Sequence, residues 1–103
     1  MYSNFGLHKE AIEAYKQAIR VDPDFFKAQF NLGISYGELN LNKEAVEAYK
    51  QVIRVDPDNA KAHFNLGIEY LILNDKEGAL GHYRTLATLD KKKADELADL
   101  INN

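Results

Sequence analysis

The chain of 103 residues contains no cysteine, no tryptophan and only two prolines. Without cysteine there are no disulfides and no thiol chemistry, and the redox compartment is left open. No apolar run approaches the ~20 residues that a membrane-spanning helix needs. The opening residues, MYSNFGLHKE, have neither the basic start nor the apolar core of a signal peptide. A cytoplasmic setting and no membrane partner are therefore expected. Basic excess is missing too: the formal net charge is −3, which argues against a nucleic-acid partner. Strand-like alternation and a linker-like stretch are likewise absent, so the expectation is a single all-α domain over residues 1–103.

Catalytic signatures are also scarce. His8, His63 and His82 sit at unrelated positions, and none pairs at helical spacing, so no metal or cofactor is expected. The carboxylate pairs Glu10/Glu13 and Glu44/Glu47 read as two copies of one solvated helix face rather than an acid/base dyad. Ser3 and Ser35 lie in no nucleophile motif, and no glycine-rich loop could cradle a phosphate. The run Lys91-Lys92-Lys93 reads as a solvated turn. No catalytic residue and no enzyme are expected from this chain.

What the chain does have is repetition. Glu10–Asp24, EAIEAYKQAIRVDPD, returns at Glu44–Asp58 as EAVEAYKQVIRVDPD, 34 residues on, with 13 of 15 positions identical. Ala28–Asn40, AQFNLGISYGELN, returns at Ala62–Asn74 as AHFNLGIEYLILN with the same offset. A fixed period of this length marks stacked supersecondary units, none of which can bury its apolar face alone.

Within the period, apolar spacing predicts helices. Ala11, Ile12, Tyr15, Ala18 and Ile19 form a buried stripe over Lys9–Val21, ended by Asp22-Pro23-Asp24 because the residue before proline is pushed out of helical geometry. Asp24 is placed to cap the next helix, Phe26–Leu39, with Ala28, Leu32, Tyr36 and Leu39 on one stripe. Asn42 is placed to cap Lys43–Val55. Ala60–Leu73 and Lys76–Leu89 follow, the latter with Leu80, Leu86, Ala87 and Leu89 as its apolar positions. Ala94–Ile101 closes the chain, with Leu97, Leu100 and Ile101 as cover for the last unit and Asp95, Glu96 and Asp99 toward water. Gly6 aligns with Asn40 and Asn74, and Tyr2 with Tyr36 and Tyr70. All three Gly/Asn positions read as helix stops, because these residues tolerate a left-handed backbone. On that reading Met1–Phe5 is the tail of a lost first helix and the chain starts in mid-repeat.

Two helices per 34 residues with Leu32, Gly33, Tyr36, Ala45, Tyr49 and Pro57, repeated at Leu66, Gly67, Tyr70, Ala79 and Tyr83, resemble the tetratricopeptide repeat (TPR) family. The earlier Tyr2, Ala11, Tyr15, Ala18 and Pro23 carry part of the same pattern. The family register divides the chain into a truncated repeat 1–25, repeats 26–59 and 60–93, and a capping helix 94–103. The resemblance implies an α-solenoid of helix-turn-helix repeats wound as a right-handed superhelix, whose first helices line a groove for a protein or peptide. In this register the groove positions are Lys27, Phe30, Asn31, Ile34 and Glu38, then Lys61, Phe64, Asn65, Ile68 and Ile72, with Leu71 close by. Some members grip a terminal carboxylate with Lys, Asn and Arg on three first helices. Asn31 and Lys61 match that clamp in one register, but it is incomplete in both registers and is not carried over.

The expected function is thus a protein–protein interaction scaffold with an apolar groove and lysines at its rim. The alternative is a self-assembly module whose units stack end to end. An open flank on Ala11, Ile12, Tyr15, Ala18 and Ile19 predicts a homo-oligomer formed through the N-terminal end.

Overall fold

The computed structural model describes residues 3–103, and the side chains from Gly6 onward. Among the described residues there are six helices and no strand: α1 Ser3–Val21, α2 Phe26–Glu38, α3 Asn42–Val55, α4 Ala60–Ile72, α5 Lys76–Leu89 and α6 Lys91–Asn102. Each helix packs on the next in sequence, and α4 also meets α6. That order of contacts is the order of a solenoid.

The apolar stripes meet in three clusters, each drawn from three consecutive helices. Ile12, Leu32 and Ala48 join α1, α2 and α3. Ala45, Val46, Tyr49 and Leu66 join α3 and α4, with Phe30 and Tyr36 of α2 packed against them. Ala79, Leu86, Ala94, Leu97 and Ile101 join α5 and α6, with Phe64 and Ile68 of α4 packed against them. A buried leucine such as Leu66 contributes on the order of 1.5–3 kcal/mol over leaving it exposed. No single helix pair completes any of these clusters, which is why the period is stable only as a stack.

The helix stops follow the backbone. Asn40 and Asn74 have φ of 61° and 65°. There the N–H of Leu41 donates to the carbonyl of Tyr36 at 2.8 Å, and that of Asp75 to Tyr70 at 2.7 Å. These bonds to a carbonyl five residues back close both helices in a Schellman turn. Gly6 does not behave alike. No glycine has positive φ, and α1 runs through Gly6 from Ser3 to Val21 as one helix. Continuing a helix adds a hydrogen bond for every residue fixed, and nothing at Gly6 competes with that gain. The expected stop at Gly6, and with it a separate first-helix tail, is overturned. The expectations for Met1 and Tyr2 lie outside the described residues.

The start signals shift by one residue. The residue before α2 is Phe25 and that before α3 is Leu41, and neither side chain caps its helix. Asp24 instead accepts a hydrogen bond from Arg54 at 3.0 Å, and Asn42, the first helical residue of α3, turns to Glu69. In the next copy the same two cap positions hold Asn59 and Asp75. Their side chains accept from the N–H of Ala62 at 3.0 Å and of Gly78 at 2.9 Å. The cap position is thus common to both units, but only the second unit fills it with a capping side chain.

The last connection is the most altered. Asp90 ends α5 and caps α6 at once, its carboxylate accepting from the N–H of Lys93 at 3.2 Å. Lys91 replaces the turn proline, so the helix restarts immediately and Lys91-Lys92-Lys93 form its first turn rather than a loop. Leu97 and Ile101 are buried as expected, whereas Leu100 points outward, as does Ala87 of α5. Among the described side chains of α1 only Ile12 is fully buried; Ala11, Tyr15, Ala18 and Ile19 are half-buried.

Two glycines set the packing distance. A Cβ at Gly33 would stand 2.6 Å from the Tyr49 ring, and one at Gly67 would stand 2.5 Å from Leu97. The second contact is with α6, not with Tyr83 of the paired helix as the repeat pattern suggests. Leu97 is fully buried and cannot swing away. Gly81, by contrast, has open space around its Cα. Gly67→Ala should therefore destabilise the fold by about 1–3 kcal/mol, while Gly81→Ala should stabilise it by roughly 0.5–1 kcal/mol through helix propensity alone. Urea denaturation of the two variants checks this; a Gly67→Ala protein as stable as the parent would mean that α6 does not seat on α4.

Candidate functional site

The groove positions of α2 recur every three or four residues from Lys27 to Glu38, so they share one stripe beside that of buried Leu32 and half-buried Tyr36. The same holds on α4. All of the expected groove positions except Phe64 lie around two hollows on this face.

The first hollow, about 290 Å³, is lined by Phe26, Lys27, Phe30, Asn31, Asn59 and Lys61. Two lysines and two side-chain amides make it a donor-rich, positively charged recess with aromatic walls. Phe30 is half-buried, its ring tilted against that of Tyr49 at 5.6 Å between centroids. It therefore serves the core and the hollow together.

The second hollow, about 280 Å³, is lined by Ile34, Gly37, Glu38, Tyr49, Asn65, Ile68, Glu69 and Ile72. Ile34 and Ile72 are exposed, at 37% and 58%. Asn65 Nδ2 donates to the Tyr49 hydroxyl at 3.4 Å. Burial pushes the Tyr49 phenol up to about 12; the charges of Glu69 and Glu38 add to this, while the Asn65 bond opposes it. This recess is apolar-walled and negatively charged, in contrast to the first.

Phe64 lies apart from both. It packs against the α5–α6 cluster, and the Lys93 ammonium sits over its ring at 5.9 Å. Glu69, Gly37 and Tyr49 were not among the expected groove residues. The signal that could have found Glu69 is its register: the 34-residue period places it at Ser35, a buried position, where a glutamate is out of keeping.

The histidines form a second feature that spacing along the chain could not reveal. His63 of α4 and His82 of α5 meet with their Nδ1 atoms 3.0 Å apart. His63 Nε2 faces the Pro57 carbonyl at 2.8 Å and must donate to it, so neutral His63 accepts at Nδ1 and His82 donates. Tyr70 stacks on His82 at 5.6 Å. His8 contacts Ser35 at 3.3 Å. Among the described residues no group of three or more His, Cys, Asp or Glu side chains could hold a metal ion. The pair joins α4 to α5 and to the preceding turn.

The profile of the TPR repeat matches residues 6–40 and 36–71. No curated protein matches the chain. Among solved structures, the first TPR of Spaghetti (RPAP3), bound to the HSP90 peptide SRMEEVD, aligns with a TM-score of 0.86 at 21% identity, covering 98% of this chain and 82% of that one. A crystal structure of MamA aligns at 0.80 and 23% identity over 93% of this chain and 67% of that one. A MamA structure from AMB-1 aligns at 0.77 and 24% identity over 81% of this chain, which spans about half of that chain's length, 49%. At these identities the likeness speaks for the fold.

The histidine pair generates a pH dependence. Burial lowers the His82 pKa from 6.5 to about 4, with His63 and Lys50 adding to the shift. The folded state then binds fewer protons than the unfolded chain between these values, so stability rises with pH there. It should be complete above about pH 6.5 and fall progressively as the pH drops toward 4. His82→Gln keeps an amide donor for His63 and removes the titration, so its urea midpoint should vary less with pH across this window. An unchanged slope would show that His82 is not held neutral.

Proposed function

Because the chain belongs to the TPR repeat family, whose members are generally non-enzymatic protein-interaction modules, we propose that it is a binding scaffold and that the α2/α4 face takes a peptide segment of a partner protein. The observation that carries this reading is the pair of adjoining hollows on the first helices, open to solvent, with Ile34 and Ile72 exposed between charged residues. Exposed apolar side chains gathered in a recess, with polar groups placed around them, are the usual make-up of a contact site. The positive recess at Lys27 and Lys61 suits a carboxylate of the partner, and the isoleucines suit its apolar side chains. The Spaghetti domain is similar in fold and carries a peptide rich in acidic residues, which accords with this use of the fold.

A second reading is favoured by a different feature. Leu7 and Val21 on α1 are exposed, at 62% and 86%, on the end away from α6. Association of two chains through α1 would cover them. Sedimentation over a concentration range separates the readings, since stacking predicts growth with concentration and a peptide groove does not.

Selection from a displayed random-peptide library tests the scaffold reading. Peptides captured by the protein should be lost by the Ile34→Asp/Ile72→Asp double variant, which puts charge into the recess without touching the buried clusters, and retained by Val21→Ser on α1. Leu66→Ala should instead cost about 2–5 kcal/mol of stability. Capture that survives the double variant would move the site elsewhere.

A further inference from the structure

The second hollow holds a charge that the stack does not need. Ser35 and Glu69 are equivalent by the 34-residue period, as are His8 and Asn42. In each copy the second-type helix reaches the following first helix through this pair, 27 residues apart: His8 to Ser35 at 3.3 Å, Asn42 to Glu69 at 2.7 Å. A serine hydroxyl suffices for the link in one copy. In the other a glutamate makes it with Oε1 and brings a second oxygen and a full charge.

Glu69 is only 7% exposed. Among the described residues no hydrogen bond to Oε2 is formed, and no buried side-chain polar atom is left without a partner, so this oxygen keeps contact with solvent in the open recess. That oxygen lies against Gly37, where a Cβ would stand 2.9 Å away; the next copy has Leu71 at this register, so the glycine opens the space that the carboxylate uses. Glu38 lines the same recess, and the Tyr49 phenol beside it is raised chiefly by its own burial, with the charges of Glu69 and Glu38 adding to this. An oxygen that solvent reaches, and that no donor of this chain takes up, is open to a cation entering the recess, and a charged donor makes the stronger bond to it.

We propose that the hollow at Glu69 is a socket for a lysine or arginine side chain of the bound segment. The proposal rests on the α2/α4 face being the partner groove. Ile34, Ile68 and Ile72 would flank the aliphatic stem, and Glu69 Oε2 with Glu38 would receive the cation through charge-assisted hydrogen bonds. The opposite sign at the neighbouring recess then fixes the partner's charge order. Lys27 and Glu38 are 38 − 27 = 11 residues apart on α2, roughly 16 Å at the helical rise. An extended chain covers that in about five residues. The segment that fits carries an acidic group and a basic group about five positions apart, with apolar residues between.

A displayed library of random octapeptides is the probe. Groove binders, meaning those blocked by Ile34→Asp/Ile72→Asp, should share a Lys or Arg position. Glu69→Gln keeps an oxygen for Asn42 and removes the charge; it should weaken these peptides at least about tenfold. Replacing the shared base by norleucine should weaken binding to the parent protein equally, a readout that leaves the protein untouched. Groove binders with no basic position, or with unchanged affinity for Glu69→Gln and after norleucine substitution, would overturn the socket while leaving the groove standing. If no captured peptide is blocked by the double variant, the groove fails and the socket with it.

Discussion

The seating of Tyr49 on Gly33 and of Leu97 on Gly67 sets how closely one helix can lie on the next, and the rest of the stack depends on that distance. Each contact places a large, fully buried or nearly buried side chain directly on a helix backbone. Proteins at native packing density do not absorb an added methyl at such points without displacing their neighbours. Once α2, α3 and α4 are fixed in this way, the groove stripe is presented as a rigid surface. Leu32, Leu66 and Tyr49 fill the core beneath that stripe. On the proposed face, Ile34 and Ile72 are the apolar residues left exposed, while Phe30, Phe64 and Ile68 pack against the core.

Most of the architecture was legible because periodicity is a redundant signal. The helices α2 to α5 lie within a residue of where apolar spacing and Asp-Pro-Asp turns place them. What misled was single residues read by type alone. Gly6 shares a register with Asn40 and Asn74, yet a helix stop needs a left-handed residue together with a following N–H that bonds back, and only the asparagines have both. Asp24 and Asn42 are good capping types standing one position off the cap. The start of α6 depended on a missing proline, whose absence removes a whole turn between helices. The family register placed Ile34, Ile68 and Ile72 together on one face of α2 and α4, where the second hollow lies. The contact of His63 with His82, and the reach of Asn42 to Glu69, were not legible, because they join residues on neighbouring helices at separations that no sequence pattern marks.

The face so built is chemically uneven. Its lysines gather at the N-terminal ends of α2 and α4, where the helix dipole adds to their positive field. Its carboxylates gather toward the other end, one exposed and one buried. Under the proposed reading, such an arrangement would select a segment by the order of its charges as well as by its apolar content, and would disfavour the same segment with its charges exchanged. Phe64, drawn under Lys93 and α6, shows where the groove passes into core.

The claim that this face is the partner site is tested most directly by following the backbone amides in 15N–1H spectra as a captured peptide is added. The account predicts that the shifts concentrate on α2 and α4, at Asn31, Ile34 and Glu38 and at Asn65, Ile68 and Ile72, with Lys27 and Lys61 at one edge. Shifts concentrated instead on α1, or on the outward residues of α3 and α5, would contradict it.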